Sequence, residues 1–296
     1  MKISIYPPEC LCEIGNRSNQ EDSVYPEVGQ ATTDSRFFIV CDGMGGHEYG
    51  EIASKTVCDT LSNYILSHWD EDYFSDDLLQ EALHAAVDQI NELDGDSTKR
   101  PGTTMTFLCL HRGGVTAAHI GDSRIYHIRP SERRILYKSR DHSLVYDLFM
   151  SGEISQEEMK TYKKKNVLTR AIISNMDVEP RADIVHITNI RSNDYFILCT
   201  DGLLENISDK DLINLISEET SDDEKRKKLR YFTRNNADNH SAYIIKIGAI
   251  EAEQNDKQLI NDEETFKNNE LRFAIEKKYN YKDRIISKLK EWLSIF

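Results

Sequence analysis

The sequence predicts an α+β fold in which strand hairpins and helices are grouped along the chain. Two observations support this prediction. Short runs rich in β-branched and aromatic residues recur through residues 1–250, and longer stretches between them have helical spacing of their apolar residues. Because the two kinds of element do not strictly alternate, a parallel sheet built from βαβ units is disfavoured.

The predicted strands are short, and Gly, Asp, Ser or Asn residues bound them. They are FFIVC (37–41), MTFLCL (105–110), VTAAHI (115–120), RIYHI (124–128), YFILC (195–199) and AYIIKI (242–247). Only the four residues HRGG separate the second strand from the third, so we expect a β-hairpin there.

Four stretches are predicted to be helices. The first two, residues 51–66 and 77–93, place their apolar residues on one face at helical spacing. The other two are predicted over residues 208–217, where Ser208 would be the N-cap, and over residues 222–234.

The character of the chain changes after Ile250, so we predict one folded domain over residues 1–250 and a tail over residues 251–296. Residues 251–270 are polar and are typical of a linker or a solvated helix. Residues 271–296 regain helical spacing and are locally basic, which predicts an amphipathic helical tail. Its apolar face would be covered by the protein's own acidic body, by a partner protein or by an anionic membrane surface.

Charge and hydropathy exclude several classes of protein. With 51 acidic and 37 basic side chains, the formal net charge is −14, which argues against binding to nucleic acid through clustered Lys and Arg. No apolar run approaches the ~18 residues that a membrane-spanning helix needs. The first residues, MKISIYPPEC, lack the apolar core of a secretory signal. We therefore expect a cytoplasmic protein with no nucleic-acid partner.

The positions of the six cysteines predict neither a reactive thiol nor a metal-binding site. Cys41, Cys109 and Cys199 lie inside strand-like apolar runs, where a free cysteine behaves as a small core residue. The one close pair is the C-x-C at positions 10 and 12, which lacks the second pair that a zinc site requires.

Acidic residues follow or precede the apolar runs at five points. The segments are NRSNQEDS (16–23), FFIVCDGMGG (37–46), AAHIGDSRIYHI (117–128), YFILCTDGL (195–203) and ADNHSAYIIKI (237–247). Carboxylates at strand ends can converge on one rim of a sheet, where they repel one another unless a positive charge lies between them. A ligand set made only of oxygen atoms suits Mg²⁺ or Mn²⁺.

Eight short motifs follow one another along residues 10–247. They are R-S-N-Q-E-D (17–22), D-G-M-G-G-H-x-x-G-E (42–51), G-T-T (102–104), G-D-S-R-I-Y (121–126), D-H-S-L (141–144), N-V-L-T-R-A (166–171), D-G-L (201–203) and D-N-x-S (238–241). In this order and spacing the chain resembles the metal-dependent protein phosphatases of type 2C, in their bacterial form. The resemblance implies a four-layer α-β-β-α sandwich with two central antiparallel sheets and a dinuclear metal site at one edge. Residues 1–250 would then be the catalytic domain.

The resemblance also implies which residues hold two metal ions. Asp42 would bridge the two ions, and the carbonyl group of Gly43 would ligate one of them. Asp201 and Asp238 would hold the other ion. The ions would be Mg²⁺ or Mn²⁺.

Four further residues complete the site that the resemblance implies. Glu21 and Asp22 would bind the metals directly or through water. Asp122 would share a third metal ion with Asp201. Arg17 would bind the substrate phosphate, for which its planar guanidinium is suited. Residues 145–166 would form a flap that shapes substrate access.

The implied reaction is hydrolysis of phosphoserine and phosphothreonine in proteins by a metal-activated water, with no covalent intermediate. Arg17, Asp42 and Asp201 would be the catalytic residues. Met44 stands where some members of the family carry a histidine that protonates the leaving group, so water or another residue must do so here. The partners implied are phosphoprotein substrates, among them a Ser/Thr kinase and its targets.

One alternative belongs to another functional class, a catalytically silent module that binds phosphoproteins. A silent member usually lacks an essential aspartate, and none is missing from this sequence. Three histidines, His47, His119 and His142, also lie within or close to the motifs. For them, a buried ring whose nitrogens bond to the backbone is the commoner role.

Overall fold

The computed structural model describes residues 1–45, 48–93, 100–162, 167–176 and 179–251. Its compact unit extends from Lys2 to Ile250. Most of the predicted tail, residues 252–296, lies outside the described residues, as do His47 and Asn166. The domain boundary and the helical tail therefore remain predictions.

The described residues form short strands and six α-helices. The strands are β1 (Lys2–Ile5), β2 (Glu9–Glu13), β3 (Asp22–Tyr25), β4 (Phe37–Met44), β5 (Gly102–Thr103), β6 (Met105–His111), β7 (Gly114–Ile120), β8 (Arg124–Arg129), β9 (Arg134–Lys138), β10 (Ile172–Ile173), β11 (Asp183–Ile187), β12 (Tyr195–Cys199) and β13 (His240–Glu251). The helices are α1 (Glu48–His68), α2 (Asp76–Leu93), α3 (Leu144–Met150), α4 (Gln156–Thr161), α5 (Asp209–Ile216) and α6 (Asp222–Thr233). Short 3₁₀ helices cover Pro130–Glu132 and Asp201–Glu205.

Within the described part of the chain, the strands form two antiparallel sheets. One has the order β1-β13-β12-β8-β9, with β2 also paired to β13. The other has the order β10-β5-β4-β6-β7-β11, with β3 also paired to β4. The predicted hairpin is confirmed as β6 and β7, in which Met105 lies opposite Ile120 and His111 lies opposite Gly114.

Alternating side chains of β4 face two different layers. Phe37, Ile39 and Cys41 pack with apolar residues of α1 and α2 in one core. Phe38 points to the opposite side, where its ring centroid lies 5.0 Å from that of Tyr243 in the other sheet. Both faces of the strand are thus buried, which is why its sequence is a continuous apolar run.

The second sheet is covered on its outer face by α5 and α6. Ile197 of β12 packs there with Leu212 of α5 and Leu229 of α6. Together with α1 and α2 on the first sheet, these helices complete the predicted four-layer α-β-β-α sandwich, which is confirmed.

All four predicted helices are present as α1, α2, α5 and α6. Ser208 caps α5 as predicted, because its hydroxyl group accepts a hydrogen bond from the Asp211 N–H at 3.2 Å. The helices α3 and α4 were not predicted as such, and they occupy most of the segment that the family resemblance implies as a flap.

Cys41, Cys109 and Cys199 are buried in the core as predicted, and all six cysteines are free thiols. None of the helices in the described ranges combines the length and the hydropathy needed to cross a bilayer.

Candidate metal centre

One cleft of about 1120 Å³ brings together residues from seven separate parts of the chain. Seven of the eight predicted site residues line this cleft. The seven are Arg17, Glu21, Asp42, Gly43, Asp122, Asp201 and Asp238. The exception is Asp22, which lies behind the cleft as the strand partner of Asp42.

The G-T-T motif holds the backbone of Asp42. The Asp42 N–H donates to the hydroxyl group of Thr104 at 3.0 Å, and its carbonyl group accepts the Thr104 N–H at 2.9 Å. The same carbonyl accepts the hydroxyl of Thr103 at 2.8 Å. Asp42 therefore cannot shift without breaking three hydrogen bonds, so its carboxylate is presented from a rigid strand end.

Asp22 has one satisfied and one unsatisfied carboxylate oxygen. The residue is only 5% exposed, and its Oδ2 accepts a hydrogen bond from the Thr200 hydroxyl at 3.1 Å. Its Oδ1 is buried and makes no hydrogen bond of ordinary geometry among the described residues, although the nearby Ser241 hydroxyl lowers the pKa of the carboxyl group. An unpaired buried carboxylate oxygen is costly, and a nearby cation or its bound water would remove that cost.

The side chain of Asn239 fixes the loop that carries Glu21. Its Nδ2 donates to the carbonyl groups of Ile14 and Asn19 at 2.8 and 2.9 Å, and its Oδ1 accepts the Glu21 N–H at 2.8 Å. Sequence reasoning missed this role, although Asn239 is part of the D-N-x-S motif. The one available signal was an amide directly after a predicted ligand, Asp238.

Gly43 lies where three backbone segments meet. Its N–H donates to the Glu21 carbonyl at 3.0 Å. A Cβ atom at this position would lie 2.0 Å from the carbonyl oxygen of Gly50 and 2.6 Å from that of Glu21. Only glycine lets the first turn of α1 and the Glu21 loop approach this strand so closely.

Arg17 reaches the cleft from the same loop. Its Nη2 donates to Asp238 Oδ2 at 2.7 Å, and its side chain is 52% exposed. This contact uses one of the five guanidinium N–H groups, so others remain available to an anion in the cleft.

Burial and mutual repulsion disfavour the ionised forms of the clustered carboxylates. Burial first, and then the charges of Asp201 and Asp238, raise the pKa of Asp22 to about 7. Burial and the charge of Asp201 likewise raise the pKa of Asp122 to about 7. The pKa of Asp42 is raised well above its usual range by burial and by Asp22. Such crowding of carboxylates is expected of a site built around a cation, because the positive charge of the cation would offset their repulsion.

The site therefore fits hard divalent cations on three grounds. Its donors are carboxylate oxygens, one buried oxygen lacks a donor, and the negative charges are mutually unfavourable. Mg²⁺ and Mn²⁺ have this preference for oxygen ligands.

Met44 lines the cleft immediately after Gly43 and has no proton to donate. Of the described residues that line the cleft, none is a histidine. His119 and His142 are buried and bond to the backbone, as the sequence analysis expected.

Comparison with known proteins identifies relatives of this chain. Residues 13–236 match the family Protein phosphatase 2C. Protein phosphatase PhpP of Streptococcus pneumoniae is 30% identical over 258 residues, which cover 86% of this chain and 100% of that protein.

Solved structures share the fold. The PPM Ser-Thr phosphatase MsPP from Mycobacterium smegmatis, crystallised with cacodylate, is 25% identical with a TM-score of 0.69, covering 83% of this chain and 100% of that one. The catalytic domain of the serine threonine protein phosphatase PstP, in complex with two manganese ions, is 26% identical with a TM-score of 0.66. That alignment covers 84% of this chain and 100% of the PstP chain.

Proposed function

This chain belongs to the protein phosphatase 2C family, and from that premise we propose that its acidic cleft removes phosphate from phosphoserine and phosphothreonine in proteins with Mg²⁺ or Mn²⁺ as cofactor. The observation that carries the proposal is the convergence of Glu21, Asp42, Asp122, Asp201 and Asp238 on one cleft that Arg17 also lines. This is the arrangement that metal-assisted phosphoryl transfer to water requires, with clustered carboxylates beside a phosphate-binding cation.

The metal ligands in this proposal are those implied by the sequence motifs. Asp42 would bridge two ions, helped by the Gly43 carbonyl, while Asp201 and Asp238 would hold one of them. When bound, the ions would supply Lewis-acid polarisation of the phosphoryl group and would lower the pKa of the attacking water. The protein's own contribution is to fix the carboxylates, which the hydrogen bonds of Thr104 to Asp42 support.

Glu21, Asp22 and Asp122 complete the proposed ligand set. Glu21 lines the cleft, whereas Asp22 lies behind it, so Asp22 would act through its unsatisfied Oδ1 on a bound water or ion. Asp122 would share a further ion with Asp201, which the repulsion between their carboxylates supports. Arg17 would bind the substrate phosphate with the guanidinium N–H groups that Asp238 does not use.

The proposal is tested by hydrolysis of a phosphothreonine peptide and of p-nitrophenyl phosphate, with Mn²⁺ and with EDTA. We expect turnover with Mn²⁺, abolition by EDTA and recovery when excess Mn²⁺ is restored. Binding of the phosphopeptide without turnover at saturating Mn²⁺ would instead indicate the silent binding module.

Arg17→Ala should lower kcat/KM by about one to two decades while sparing the metal centre. The reason is the loss of charge-assisted hydrogen bonds to the phosphate, which are worth about 1.5–3 kcal/mol. The measurement is steady-state kinetics on p-nitrophenyl phosphate together with calorimetric Mn²⁺ binding.

Arg191→Ala is the matched control for this variant. Arg191 also forms an exposed ion pair, with Glu132 at 3.0 Å, but it does not line the cleft. Its loss should leave kcat/KM unchanged, because Arg191 lies outside the cleft. Stability should also change little, because exposed ion pairs contribute little to it. Loss of bound Mn²⁺ in Arg17→Ala would contradict a role confined to phosphate binding.

The natural substrates in this proposal are phosphoproteins, including a Ser/Thr kinase and the proteins it phosphorylates. Phosphoprotein substrates are supported by the exposed guanidinium group of Arg17, which lines the cleft beside the clustered carboxylates. The proposal includes a cytoplasmic location, which the six free thiols support. Dephosphorylation of a purified candidate kinase, followed by mass spectrometry, would test the kinase as a substrate.

A further inference from the structure

His142 joins the turn that carries Asp122 to the wall of the cleft. The ring Nδ1 of His142 accepts the Gly121 N–H at 3.1 Å, and the backbone N–H of His142 donates to the Gly121 carbonyl at 2.9 Å. Its carbonyl group accepts the Thr169 N–H at 2.9 Å, and Thr169 lines the cleft. The ring of His142 is 6% exposed, so these contacts are shielded from water.

The turn at Gly121 has little freedom of its own. Gly121 adopts a φ of +104°, and a Cβ atom there would lie 2.5 Å from the side chain of Thr104. Thr104 also holds Asp42, and its hydroxyl group bonds to that of Ser123 at 2.7 Å. The turn is therefore clamped between Thr104 on one side and His142 on the other.

The opposite edge of the His142 ring faces a charged pair. Its Nε2 lies 3.1 Å from Asp183 Oδ2, and Asp183 forms an ion pair with Arg170 at 2.5 Å. Both Asp183 and Arg170 line the cleft. His142 thus contacts two separate parts of the site through its two ring nitrogens.

A metal ion is not the explanation for this cluster. Donor atoms of His119, His142 and Asp183 lie within 4.8 Å of one another, which is the spacing of a candidate site. The two imidazole rings are stacked, however, with centroids 4.5 Å apart and an interplanar angle of 15°. A ligated metal lies in the plane of each ring at ~2.1 Å from nitrogen, and two nearly parallel planes do not meet there.

Building on the proposed function, we infer that His142 is a positioning residue. Its Nδ1 bond to Gly121 fixes the turn so that Asp122 faces Asp201 and the two carboxylates can share a metal ion. Neither ring nitrogen reaches the cleft, so His142 acts through Gly121 and not on the substrate. In this role the ring is neutral, with its proton on Nε2, because Nδ1 must present a lone pair to the Gly121 N–H.

Two substitutions that introduce a side-chain amide distinguish the roles of the two ring nitrogens. Asparagine can place Oδ1 near the position of Nδ1 and keep the acceptor for Gly121. Glutamine can place Nε2 near the position of the ring Nε2 and keep the donor facing Asp183. The backbone bonds of residue 142 persist in both variants. If the Gly121 bond is the one that matters, His142→Asn retains the function that His142→Gln loses.

The experiment measures the Mn²⁺ dependence of p-nitrophenyl phosphate hydrolysis and, separately, calorimetric Mn²⁺ binding to metal-free protein. We expect His142→Asn to stay within twofold of wild type. For His142→Gln, the half-saturating Mn²⁺ concentration should rise about five- to tenfold, the effect of losing one buried hydrogen bond. Wild-type behaviour in His142→Gln, or an equal defect in His142→Asn, would overturn the inference.

A matched control and a double variant complete the test. His127 is another buried histidine with a carboxylate partner, Asp194 Oδ2 at 2.9 Å, but, unlike Asp183, that partner does not line the cleft. His127→Asn should lower Tm without changing the Mn²⁺ dependence. Adding His142→Gln to Asp122→Asn should cause no further loss of Mn²⁺ affinity, and additive losses would overturn the link through Asp122. Because the calorimetric arm needs no turnover, it tests His142 even if the wild-type protein hydrolyses nothing.

Discussion

Asp201→Asn is expected to remove metal-dependent hydrolysis while leaving the fold intact. Asp201 begins a 3₁₀ helix that is separated from β12 by Thr200 alone. It lines the cleft, where the proposal gives it one metal ion and a share in another. An amide is a neutral and weaker ligand. Since even residues that only support a ligand contribute 10–100-fold, we expect a rate loss of at least about 100-fold at saturating Mn²⁺.

Although Asp201→Asn should lose activity, it should not lose stability when no metal is present. Burial and the nearby Asp238 raise the pKa of Asp201, which means that its charge is unfavourable in the metal-free protein. Removing that charge should leave Tm without metal equal to or higher than that of wild type, and should reduce the rise in Tm that Mn²⁺ produces. Thermal unfolding with and without Mn²⁺ measures both effects.

Asp59→Asn is the control for Asp201→Asn. Asp59 is a partly exposed carboxylate that pairs with Lys55 at 2.8 Å and does not line the cleft. Its conversion to an amide should leave turnover unchanged. Near-normal turnover of Asp201→Asn at saturating Mn²⁺ would refute the assignment of Asp201 as a metal ligand.

The strands that the sequence predicted are those buried on both faces. In β4, β6, β7 and β12 almost every residue is buried, so each appears as a continuous apolar run. The missed strands are short or only partly buried. In β1 exposed and buried residues alternate, and β9 contains no buried residue at all. Such strands are formed by pairing with a neighbour, and a single sequence contains no record of that neighbour.

The candidate site likewise has a part that the sequence predicts and a part that it does not. The carboxylates were predictable because each lies in a motif next to a strand end. Their supporting contacts were not, because they join residues far apart in the chain. The Thr200 hydroxyl that bonds to Asp22 is 178 positions away, and the Asn239 amide is 218 positions from Glu21. Which buried polar groups meet is decided by the packing of the two sheets, and local patterns do not specify it.

Gly43→Ala is expected to cause a large loss of both stability and Mn²⁺ binding. The added Cβ would meet the Gly50 and Glu21 carbonyl oxygens at 2.0 and 2.6 Å, and both are backbone atoms that no side-chain rotation can move. The strand must therefore separate from the start of α1 and from the Glu21 loop. Overpacking of this kind costs about 1–3 kcal/mol, and we expect the upper end because two segments must move together.

The same displacement connects stability to the metal centre. Asp42 precedes Gly43 on β4, and the Gly43 N–H bond to the Glu21 carbonyl joins the two segments that carry proposed ligands. Urea unfolding would measure the stability loss, and calorimetry would measure Mn²⁺ binding on the folded fraction. Gly113→Ala is the control, because its Cβ would meet only side-chain atoms, at 3.1 Å or more. We expect that control to cost less than about 1 kcal/mol. If Gly43→Ala were as stable as Gly113→Ala and bound Mn²⁺ normally, the close approach at Gly43 would not be what holds the ligands in place.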